Sequence, residues 1–275
     1  MVRLISLAMF LAIWWFASLF AGPQMLPGPD KVLNAIVAQA ESGDLFFQLG
    51  VTLARVLAAF TIAMIAGTAI GLLMGRVKIA DRIGDPWLIV LLNLPALVVI
   101  VLAFIWGGLT ETAGVLAVAI NKLPNTVVTV REGARALDVG LDEMARVFAL
   151  PRGKVLWHVV LPQLAPYLAA AGRSGLSLVW KIVLIVELLG RPNGIGFQIG
   201  VAFQLFDVTL ILAYALAFVT VILIIETAVV QPIERHVSRW RIRTPESPHY
   251  AQGVHGSVGR AIRRSARYLF RPKAQ

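Results

Sequence analysis

Leu141-Asp142-Glu143-Met144-Ala145-Arg146-Val147-Phe148-Ala149-Leu150-Pro151 is followed, after Arg152 and Gly153, by a run from Lys154 to Val160 that closes on Leu161-Pro162. The first part places Leu141, Met144, Ala145 and Phe148 at i, i+3, i+4 and i+7, one apolar face of a helix. Pro151 and Gly153 separate it from the second helical piece, which the reading ends at Leu161-Pro162. Long apolar runs lie on both sides, so the stretch belongs to a connection, about 131–164, between two membrane spans. An apolar helix exposed in such a place is a docking surface for another protein.

Composition supports the membrane reading. Of 275 residues, 58% are hydrophobic and 15% charged, with mean hydropathy +0.79. A soluble domain carries about a quarter charged residues. With no cysteine, disulfides and thiol-based metal sites are excluded. Four scattered histidines show no H-E-x-x-H pairing, so no zinc site is expected. The net charge of +10 is distributed at the ends of apolar runs and in a C-terminal tail, the pattern of membrane topology rather than of nucleic-acid binding. No cofactor is expected.

Six apolar stretches reach the roughly 20 residues a spanning helix needs, at about 4–21, 56–75, 87–107, 112–130, 165–189 and 208–230. The fold class is therefore all-α, a polytopic membrane protein of about six spans. The first stretch reads as a retained helix, being long for a signal peptide and lacking an A-x-A site; a cleaved signal peptide is the alternative. With both termini cytoplasmic, the inner connections hold nine Lys and Arg (Arg3, Arg76, Lys78, Arg82, Arg131, Arg135, Arg146, Arg152, Lys154) and the outer ones two, Lys31 and Arg191. That bias sets the orientation. The segment 76–86 reads as a tight inner connection and 108–111 as a tight outer one. Between the first two spans, prolines 27 and 29 break the chain, Asp30 caps the next helix, and Val32, Ile36 and Val37 recur at helical spacing. Ala63, Gly67, Gly71 and Gly75 mark a close helix–helix contact, and Pro95 and Pro124 are expected kinks. The organisation reads as 1–47, first helix and outer amphipathic segment; 48–234, a five-helix core; and 235–275, a basic cytoplasmic tail.

On these residues the chain resembles the binding-protein-dependent permeases of ABC importers. Their inner loop carries Glu-Ala-Ala, a glycine four residues later and a distal Leu-Pro. Here Glu143 and Ala145 match, Met144 replaces the first Ala, Ala149 occupies the glycine position with Pro151 beside it, and Leu161-Pro162 fall at the matching distance. Leu94-Pro95-Ala96 leading to Phe104-Ile105-Trp106-Gly107, then Glu187-Leu188-Leu189-Gly190 and Gly194-Ile195-Gly196, look like the nitrate/sulfonate/taurine branch; the likeness covers about 48–232. The resemblance implies a type I importer permease fold in the bacterial inner membrane. It also implies a loop that seats in an ATP-binding cassette ATPase subunit, a second permease chain (a homodimer), and a periplasmic or extracellular substrate-binding protein that delivers a small anion. No G-x-x-x-x-G-K-[ST] occurs, so the chain has no P-loop of its own and is not an enzyme.

Charged side chains at bilayer depth usually face a bundle interior or a water-filled route. Asn121, Lys122, Asn125 and Thr129 fall within about a 100° arc, and Arg173, Ser174, Ser177, Lys181 and Glu187 within about 140°. Both arcs are read as route-lining, with Glu187 as a partner for Lys181 from a neighbouring helix; snorkelling or structural pairing is the plainer reading for Lys122 and Arg173. Arg55 and Glu226 read as interfacial anchors. Residues 190–207 form an outer turn, either a gate or a connector. The tail beyond Arg235 either lies on anionic membrane lipids or is solvated. A competing function is a self-sufficient secondary transporter or channel using Lys181 and Glu187; a membrane enzyme lacks any nucleophile–base or metal constellation.

Overall fold

The computed structural model describes residues 2–22 and 24–233, all within one compact unit. Expectations for the tail 235–275 lie outside the described residues. Among the described residues every regular element is helical. They are α1 (Val2–Ala21), α2 (Pro29–Glu41), α3 (Asp44–Arg76), α4 (Lys78–Asn93), α5 (Ala96–Gly107), α6 (Glu111–Arg135), α7 (Val139–Val147), α8 (Arg152–Val155), α9 (Leu161–Gly190), α10 (Ile195–Gln204) and α11 (Val208–Ile225). Four helical segments are long and apolar enough to cross a membrane: α3, α6, the continuous helix from Arg152 to Gly190, and Val208–Ile233. The pair α4–α5 meets the same length and apolarity together but is bent by 98°, a broken span or a re-entrant hairpin. Residues 4–21 are helical as expected, and the apolar part of α1 counted by length is Ala8–Ala21.

The expected straight span 87–107 is the largest departure. Pro95 has no N–H to donate and holds an extended conformation as the cap of α5, so the helix ends at Asn93 and restarts at Ala96. Most of the segment 76–86 is helix: the connection narrows to Val77, and 78–86 is the charged half of α4. Asp81 and Asp85 lie one turn apart and face Arg131 and Arg135, also one turn apart; Asp85 Oδ1 accepts from Arg131 at 2.6 Å and Asp81 Oδ2 from Arg135 at 2.5 Å. Pro124, by contrast, sits inside an unbroken α6. Asp30 lies in the first turn of α2, where its charge suits the helix dipole, while Gly28 is the cap and Pro29 the first residue.

α3, α6 and α9 form the centre. The small-residue stripe of α3 lies against α6: a Cβ on Gly71 would come 2.8 Å from the Val127 carbonyl, and one on Gly75 2.8 Å from that of Arg131. Backbones this close admit no side chain between them. Around this seam pack Val56, Ala59, Ala117, Val118, Val179 and Val183, and Trp180 meets Phe218 of α11 edge-on at 5.9 Å. α2 buries Val32, and Tyr214 of α11 donates to Asp44 at 2.8 Å. The turn 108–110 is tight as expected, and Thr110 caps α6 by accepting from Ala113.

Candidate functional site

The loop quoted at the outset is shorter than the 131–164 expected, because α6 runs to Arg135 and the next helix starts at Arg152. Asp138 caps α7, its side chain accepting from the Gly140 N–H at 2.8 Å. Gln163 accepts from the Asp138 N–H at 2.9 Å, and Arg76 of α3 pairs with Asp142 at 3.0 Å. These contacts fix α7 to the end of the bundle. Leu161-Pro162 does not end a helix. The proline lacks the N–H of an ordinary turn, and the chain widens into a π turn over Leu156–Val160, with the Leu161 N–H bonding to Leu156, before continuing as α9.

At the C-terminal end of α7, Ala149 adopts φ 47, left-handed. Its N–H bonds to the Arg146 carbonyl and that of Leu150 to Ala145, at 3.0 and 2.9 Å. This is the double-bonded helix ending that favours glycine. The break expected of Pro151 is thus made at Ala149. The turn holds Ala145 buried while Met144, Val147 and Phe148 stand 41%, 82% and 71% exposed; Glu143 is exposed too. Because Cβ in this conformation costs about 1–2 kcal/mol, partly offset by glycine's greater freedom when unfolded, Ala149→Gly should stabilise the loop by roughly 0.5–1 kcal/mol. Thermal unfolding of the purified protein checks this, and a lowered midpoint would refute it.

At the opposite end of the bundle lies a buried polar clasp. Glu187 of α9 is 0% exposed. Its carboxylate accepts from Arg55 at 2.7 Å, Thr52 at 3.0 Å and the Gly196 N–H at 2.8 Å. Arg55 also donates to Glu111 from Nε at 2.5 Å, to the Asn193 carbonyl at 2.8 Å and to the Asn193 side chain. Arg191 donates to Glu111 at 2.5 Å. Meanwhile Gln48 accepts from the Gly194 N–H at 2.6 Å and Thr52 from that of Ile195 at 2.9 Å. The start of α10 is therefore capped by side chains of α3 and α9, and its partial positive charge meets the Glu187 carboxylate. Gly194 holds φ +104, and a side chain there would overlap the Glu187 carboxyl group.

Residues 63–241 match the family of binding-protein-dependent transport system inner membrane components. The chain belongs to this family. Among similar proteins, the taurine transport system permease protein TauC of Escherichia coli (strain K12) is 25% identical over 242 residues, covering 86% of this chain and 88% of that one. The nitrate import permease protein NrtB of Synechococcus elongatus is 25% identical over 210 residues, covering 73% and 75%. The inward-facing MetNI methionine ABC transporter shares the fold, with TM-score 0.62 at 17% identity over 73% of this chain and 99% of that one. As a member of this family the chain is a multi-pass inner-membrane component of a transport system, with the all-helical importer-permease fold.

In this permease the expected route residues separate. Asn125, Arg173, Ser177 and Lys181 are exposed on α6 and α9, with Asn121 half-buried. Arg173 lies 3.6 Å from Glu226, a structural pair. Lys122 and Glu187 do not line an open surface: both are 0% exposed. The expected Lys181–Glu187 pairing is also corrected, since Arg55 and the start of α10 fill the carboxylate's bonding capacity while Lys181 points outward. The turn expected over 190–207 contains α10. Gln48, Thr52 and Arg55 were missed as a set, yet their i, i+4, i+7 spacing on an apolar helix is the signal that marks one polar face.

Proposed function

We propose that the chain is the translocation subunit of an ATP-driven importer. A second copy completes the route, a substrate-binding protein outside delivers a small anion (a sulfonate such as taurine, or nitrate), and a separate ATPase subunit seats on α7. The observation that carries this is the α7 turn, where Met144, Val147 and Phe148 are held outward by Ala149 and anchored by Arg76–Asp142. An isolated transporter has no use for such a surface. The relatives named for taurine and nitrate, together with the exposed Lys181 on α9, support an anion. Glu187, bound into the clasp, is not free to act as an ion-coupled group in a secondary transporter.

The test is reconstitution in vesicles with the ATPase and binding protein of the same system. Uptake of labelled taurine or nitrate should require ATP and both partners; uptake without the ATPase would overturn the reading. Orientation is tested alongside. A cytoplasm-dependent reporter fused after residue 140 or 240 should be active and one after residue 40 silent, as the nine-to-two charge bias requires with both termini inside.

A further inference from the structure

Lys122 is a lysine enclosed between two helices, with no counter-charge paired to it among the described residues. It is 0% exposed, and Nζ donates to the Ala171 carbonyl of α9 at 2.9 Å. Among the described residues it takes part in no ion pair. An ammonium carries three donors, so the niche leaves it undersupplied. Room for it exists because residue 175 is glycine: a Cβ there would overlap Cε and Nζ. As packing alone this is a poor choice, since methionine fills a similar volume without the cost of an unpaired buried charge.

One polar neighbour of the niche leads outward. The Ser174 hydroxyl donates to the Ala170 carbonyl at 3.0 Å and lies 3.3 Å from the Ala171 carbonyl that also holds Lys122. Ser174 belongs to the exposed polar face of α9 with Arg173, Ser177 and Lys181. A single shared carbonyl thus separates the hidden ammonium from that face. We propose that Lys122 is the anion-selecting charge of the transport route, stored behind Gly175 in this conformation and moved past Ser174 into the route when α6 and α9 part. This rests on the permease reading above and names the residue that meets the small anion. A cation in low-dielectric surroundings lowers the barrier to a passing anion far more than one in water.

The chain has no cysteine, so Lys122→Cys and Ser174→Cys each carry a single thiol. In the reconstituted complex, a negatively charged methanethiosulfonate should modify the Lys122→Cys thiol about tenfold faster during ATP turnover than at rest, while Ser174→Cys reacts in both states. A Lys122→Cys thiol that is equally reactive in both states, or unreactive throughout while Ser174→Cys reacts, overturns the proposal. Lys122→Met should assemble with the ATPase subunit and lose about tenfold or more in taurine or nitrate uptake, with Lys122→Arg losing less. Undiminished uptake by Lys122→Met also overturns it. Failure of ATP-driven uptake in the unmodified complex sinks the permease reading instead, and this proposal with it.

Discussion

Arg55→Met is expected to destabilise the purified protein by about 3–5 kcal/mol, the cost of leaving one member of a buried pair without its partner. Glu187 cannot turn to water, being wholly enclosed, and Glu111 and the Asn193 carbonyl lose donors at the same time. Glu187→Gln should cost less, because an amide oxygen still accepts from the Gly196 N–H. Combining Arg55→Met with Glu187→Gln should recover much of the loss, since the uncompensated charge is gone. A double-mutant cycle read by thermal unfolding in detergent measures this coupling. Independent, additive effects, or an Arg55→Met protein as stable as the original, would show that the clasp is not a unit.

Phe148→Asp should abolish coupling while leaving the membrane bundle intact. Phe148 is 71% exposed, so no core contact is lost and insertion and yield should be unchanged. At an interface, a Phe side chain contributes about 1.5–3 kcal/mol by burial, and an unpaired carboxylate in its place adds a desolvation cost. The sum corresponds to at least about a hundredfold loss in ATPase association. Glu143→Lys, reversing an exposed charge on the same helix, should weaken coupling as well. Co-purification with the ATPase subunit and ATP-driven uptake in vesicles are the measurements; normal values in both variants would remove α7 from the interface. Phe148→Leu, which keeps the apolar contact, should retain most activity.

The central bundle was legible because its signals are local: apolar runs of spanning length, and Ala63, Gly67, Gly71 and Gly75 in one stripe. The α7 helix was legible for the same reason, although the structure turns Ala145 of the expected apolar face inward and leaves Val147 outside with Met144 and Phe148. What failed was settled across helices. The charges of 76–86 suggested a connection, whereas Asp81 and Asp85 are matched by arginines about 50 positions away and so sit on a helix. Lys122 and Lys181 look alike in their own spans; Gly175 and the backbone of Ala171 hide the first, and nothing comparable covers the second. Glu187 takes a partner 132 positions away, beyond any periodicity argument. Ala149 concealed a glycine-type turn because its conformation is imposed by the two hydrogen bonds that end α7.

α10 carries almost none of its own starting instructions. It is 10 residues long, too short to persist alone in water, and its first N–H groups are held by Gln48, Thr52 and Glu187. All three precede it in the chain. As synthesis proceeds from the N-terminus, the acceptors that define where α10 begins are already in place when residue 194 emerges. No later segment is needed to start the helix, but α3 and α9 must first have met. α10 is thus a reporter of that meeting: hydrogen exchange at Gly194, Ile195 and Gly196 should slow only once the α3–α9 contact has formed, whatever the state of α11.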